Sequence, residues 1–107
     1  MEEKKALYNY IYHHLNPDGF FLNLDVVLAP HQDLEEWYLS LWREWISANV
    51  DSSKKPDLLP IPQQYKDNPD NFPDTLSLQL EALQETGFRN VDCFYKYGIF
   101  TIFGGKR

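Results

Sequence analysis

The chain carries a single cysteine, Cys93, so no internal disulfide can form, and with three histidines it cannot assemble a cysteine-rich zinc site. Stability has to come from packing. Basic residues are in deficit, with ten Lys plus Arg against sixteen Asp plus Glu, and a formal charge of -6 repels phosphate backbones and anionic membrane surfaces. Nucleic-acid binding is disfavoured. No apolar run approaches the roughly 20 residues of a membrane span, and Met1-Glu2-Glu3-Lys4-Lys5 lacks the apolar stretch of a signal peptide. The expectation is a cytoplasmic protein with no membrane contact. Glycine is sparse as well: the five at 19, 87, 98, 104 and 105 never form a G-x-G-x-x-G run, so no backbone cradle for a nucleotide phosphate is visible. Aromatic residues, by contrast, are plentiful at 16% of the 107 residues, with three Trp, seven Tyr and seven Phe. That is ample core material for one domain spanning residues 1–107.

Leu7, Tyr8, Ile11, Tyr12 and Leu15 recur at three- and four-residue spacing, which predicts an amphipathic helix over residues 2–15. Asn16-Pro17-Asp18-Gly19 then reads as a sharp turn, with the glycine available for positive φ. Residues 20–28 are nearly continuous in apolar side chains and too short for a typical helix, the pattern of a strand buried on both faces. A second helix is expected after Pro30, with Asp33 capping and Glu36 closing a capping box, or with a slightly earlier start at His31. Its apolar stripe, with Trp37, Trp42 and Trp45, is too wide for a one-sided surface helix. Residues 49–74, with prolines at 56, 60, 62, 69 and 73, read as a long irregular connection of the kind that serves as a lid. Thr75 caps a third helix through Leu76, Leu80 and Leu83, and Gly87 ends it with Phe88 folding back on Leu83. Residues 91–97 and 99–103 pivot at Gly98 as a hairpin.

The helix, the Leu15-Asn16-Pro17-Asp18-Gly19-Phe20-Phe21 turn and the strand ending near Asp25 resemble one passage of class I S-adenosylmethionine-dependent methyltransferases, from helix D to strand 5. Pro73-Asp74-Thr75-Leu76, then Glu85-Thr86-Gly87-Phe88-Arg89-Asn90-Val91-Asp92-Cys93-Phe94, then Phe100-Thr101-Ile102-Phe103-Gly104-Gly105 resemble the family's last helix and its strand 6 and strand 7 hairpin. The resemblance runs over almost the whole chain. It implies an α/β fold: a partial Rossmann-like unit with a three-stranded mixed sheet and helices on its faces. The last strand would lie between the other two, antiparallel to both. It also implies that the chain corresponds to the C-terminal half of the family, since the glycine loop and the acidic residue that hold the cofactor would all lie upstream of Met1. No cofactor site is therefore expected in the chain alone, and S-adenosylmethionine would bind only if an N-terminal half complemented it.

No residue can be assigned a catalytic, cofactor-binding or metal-ligating role. Three are candidates for the substrate side. Asp25 lies near the carboxyl end of the first strand, where open α/β sheets place ligands. His31, just beyond, is of the residue type that serves as a general base, and Tyr65 lies in the connection that could form a lid. Each also has a plain reading: a satisfied strand-end carboxylate, a solvated or capping histidine, a solvated loop. His13 and His14 are adjacent and point to different helix faces, which argues against chelation, and Cys93 reads as an inert packed thiol. The tryptophans could line an apolar pocket or simply pack.

Two functions of different class follow. One is the substrate-side half of a methyltransferase, inactive alone. The other is a non-catalytic homodimerising or partner-binding module derived from that fold. Strand 20–28 has the composition of a central strand, but the order implied by the resemblance puts it at the sheet edge, without Pro or Lys to block pairing. The expected partner is a second copy, joined through this strand or by exchange of the first helix, or else a separate N-terminal methyltransferase half.

Overall fold

The computed structural model describes residues 1–69 and 73–107. Its elements run α1 Glu2–His14, β1 Phe20–Val26, α2 Gln32–Asn49, α3 Lys55–Leu58, α4 Ile61–Asp67, α5 Leu76–Thr86, β2 Arg89–Tyr97 and β3 Phe100–Lys106. The strands form one sheet in the order β1-β3-β2, and both hydrogen-bonded pairs are antiparallel. The expected position of the last strand is observed. The expected mixed sheet is not, because β1 and β2 run the same way but β3 separates them, leaving no parallel ladder between neighbours in the sheet.

α1 and α5 cover one face of the sheet. Tyr8, Ala82, Leu83, Phe88 and Phe103 form the centre of the core there with Val27, and Phe21 packs against it. Tyr8 meets Phe21 edge-on at 6.1 Å between ring centroids. Tyr8 is 1% exposed, so its hydroxyl needs a partner, which it finds by donating to Gln79 Oε1 at 2.8 Å. Gln79 is itself fully buried and donates through Nε2 to the Asp74 carbonyl at 3.1 Å. The α5 caps are as expected: Thr75 Oγ1 accepts from the Leu78 N–H, and Gly87, at φ 120°, closes the end.

Four expectations need correction. β1 is not buried on both faces, since Phe20, Leu22 and Leu24 are 55%, 56% and 73% exposed. The core takes only the alternate side chains that face α1 and α5, and an apolar run does not reveal whether its second face has a cover. In the turn before β1, positive φ falls on Asp18 at 65° rather than on the glycine. Aspartate tolerates that region, and Asp18 is held there by Arg89 Nη2 at 2.6 Å and Lys106 Nζ at 3.7 Å. α2 has no capping box: His31 is its N-cap and no side chain caps it. Glu35 turns inward instead, its carboxylate accepting the Ala29 N–H at 3.0 Å. The 49–74 connection contains α3 and α4, whose prolines sit in the first turn, where a missing N–H costs nothing. Residues 70–72 of that connection lie outside the described residues.

The molecule measures 48 × 25 × 21 Å with a radius of gyration of 16.0 Å. A compact chain of this length has about 13 Å. No described helix is long and apolar enough to cross a membrane.

Candidate aromatic cleft beside β1

The side chains on the open face of the sheet are set by a bulge. Cys93 pairs with Phe103 and Tyr95 with Ile102, so two residues of β2 advance against one of β3. Strict alternation would have put Tyr95 on the core side with Cys93. The bulge turns Tyr95 and Tyr97 to the opposite face, with Ile102 and Phe100 as their partners. Cys93 stays half-buried against the core, its thiol directed at the Tyr95 carbonyl at 3.3 Å.

α2 stands beside that face. Trp42 and Trp45, three residues apart, share one side of the helix and with Tyr95, Tyr97 and Phe100 line a hollow of about 410 Å³. Trp42 is fixed in it by two edge-on contacts, to Phe100 at 5.0 Å and to Tyr65 at 5.9 Å. A second hollow, of about 380 Å³, shares Tyr95 and Phe100 as walls and continues to Leu24, Asp25 and Val26 at the edge of the sheet.

The structure associates two of the three sequence candidates with this region. Asp25 lines the second hollow, and its carboxylate accepts the Val26 N–H at 2.8 Å. Tyr65 lies against Trp42, and burial first, then the Asp25 and Glu35 carboxylates, push its phenol above the ordinary range, so it remains a neutral donor. The Tyr8 phenol on the other face is pushed up to about 12 by burial and then by Asp25. His31 is the exposed N-cap of α2 and is not a wall of either hollow. No group of three or more His, Cys, Asp or Glu able to hold a metal ion occurs among the described residues.

Tyr95, Tyr97 and Phe100 were not candidates from the sequence. Their convergence depends on the bulge and on where α2 lies, and neither leaves a local signal. What the site offers chemically is aromatic surface for a ligand to lie against. Compared with protein-family models and with curated proteins, the chain matches none.

Proposed function

We propose that this chain is a methyltransferase-like half-domain, the substrate-side part of an S-adenosylmethionine-dependent fold, whose sheet is completed through β1 by a second polypeptide. One observation carries this reading: the order β1-β3-β2, with β3 antiparallel to both neighbours, is the order expected of the family's last three strands. In a complete member a further strand would cover the edge where β1 lies open. The elongated shape and the exposed apolar side chains of β1 support the same incompleteness.

The free edge can be assigned residue by residue. Val27 N–H bonds to the Ile99 carbonyl, so by alternation the backbone groups of the odd-numbered residues point to β3 and those of Phe20, Leu22, Leu24 and Val26 point outward. Asp25 already occupies the outward N–H of Val26. Phe20, Leu22 and Leu24 are left to pair. An antiparallel ladder centred on Leu22 sets Leu22 against its own copy and Phe20 against Leu24, which gives a symmetric dimer when no other half is present.

A second reading, a non-catalytic dimerisation or partner-binding module, is supported by the same open edge and by the exposed apolar side chains of β1. Calorimetric titration with S-adenosylhomocysteine distinguishes the two. The half-domain reading predicts no heat with the chain alone and binding once a polypeptide carrying the cofactor half of such a fold is added. Dimerisation with no binding in either case supports the module, and micromolar binding by the chain alone overturns both, because it requires a cofactor site that neither contains.

A further inference from the structure

The cleft between α2 and the β2–β3 hairpin is a built cavity, walled on one side by a helix and on the other by a strand pair whose bulge aims two tyrosines into it. Its volume, about 410 Å³, falls in the range of small-molecule sites, and the adjoining hollow nearly doubles it. The walls are fixed before any ligand arrives, since Trp42 is held edge-on by both Phe100 and Tyr65. Trp45 and Tyr95, by contrast, remain 52% and 57% exposed at the mouth. Two Trp indoles and Tyr and Phe rings offer negative π faces, which attract a cation as well as a stacked ring. Neither lining contains Lys or Arg, and Asp25, which borders the second hollow, pairs with Thr101 and by strand alternation turns its side chain to the α1–α5 side. With a net charge of -6 the chain also repels anions at longer range.

We propose that this cleft binds a flat aromatic ring bearing a positive charge, with the ring between Trp42, Trp45, Tyr95 and Tyr97 and the cationic group held against the π faces of the indoles. The assignment is independent of the methyltransferase reading.

Three probes share one ring system and differ in charge: 2-naphthylmethylamine, 2-naphthylmethanol and 2-naphthoate. Each is titrated into the full chain while NMR follows the indole N–H signals of Trp42, Trp45 and, as an internal control, Trp37. The amine is expected to shift Trp42 and Trp45 saturably and leave Trp37 in place. It should bind about tenfold tighter than the alcohol, with the carboxylate weaker still. Trp45→Ala removes one π face at the exposed mouth and should lower the amine toward the affinity of the alcohol. Tyr95→Ser, at an exposed position, should weaken all three. Equal affinity for amine and naphthoate, no saturation up to millimolar amine, or binding unchanged in both Tyr95→Ser and Trp45→Ala would overturn the proposal.

Discussion

Replacing Gln79 by Leu tests whether the buried Tyr8–Gln79–Asp74 chain fastens α1 to α5. Gln79 is fully buried, accepts the Tyr8 hydroxyl at 2.8 Å and donates to the Asp74 carbonyl at 3.1 Å. That carbonyl keeps a partner after the change, because it also accepts the Leu28 N–H at 3.0 Å. The Tyr8 hydroxyl loses its acceptor in a site that is 1% exposed, and a buried unsatisfied donor costs about 1–3 kcal/mol. Gln79→Leu should therefore destabilise by about 2 kcal/mol, and Tyr8→Phe, which strands the Gln79 oxygen, by roughly 1–2 kcal/mol. The double variant removes both polar groups together. It should be no less stable than the worse single variant, a coupling of about 1–2 kcal/mol. Urea unfolding of the four proteins at constant m-value measures it. Losses that simply add within about 0.5 kcal/mol would refute the network.

Gly104→Ala should disrupt the β1–β3 ladder, because an added Cβ would lie 1.8 Å from the Phe21 carbonyl oxygen, a backbone atom that cannot turn aside. A loss of about 3 kcal/mol or more, read by urea unfolding, is expected, and a variant of unchanged stability would refute the close approach. Alkaline pH should destabilise through Tyr8, whose phenol burial and then Asp25 raise from 10.0 to about 12. The unfolded chain releases that proton near pH 10 while the folded chain holds it. The contribution is therefore complete below pH 10 and is lost as pH rises toward 12, by roughly 2–3 kcal/mol at about 1.4 kcal/mol per unit. Wild type should lose more stability than Tyr8→Phe over that interval, and parallel pH profiles would contradict the assignment.

Elements governed by neighbours in sequence were legible before the structure. The spacing of Tyr8, Ile11, Tyr12 and Leu15 marked α1, and Thr75 with Gly87 bracketed α5, because both signals act within a turn or two of helix. Pro56 and Pro62 misled for the opposite reason: a proline reads as a breaker, but the same fixed φ suits the first turn of α3 and α4. Phe20, Leu22 and Leu24 looked buried because composition records hydrophobicity and not cover. Glu36 did not close a capping box, since Glu35 one residue earlier is drawn to the Ala29 N–H by tertiary packing. In the site, Asp25 and Tyr65 were found as chemically capable residues, whereas Tyr95 and Tyr97 face the cleft only through a bulge that two-residue periodicity cannot anticipate.

Amide hydrogen exchange at β1 tests the open edge most directly. Phe21 and Asn23 point their N–H groups at β3, while Leu22 and Leu24 point theirs outward, so the two sets share one strand and differ in pairing alone. If β1 is completed by a second polypeptide, Leu22 and Leu24 should gain protection as protein concentration rises and the mass by light scattering moves from 12.7 kDa toward twice that value. Phe21 and Asn23 should be protected throughout. Leu22 and Leu24 amides that exchange freely at every concentration, in a chain that remains a 12.7 kDa monomer, would contradict the account.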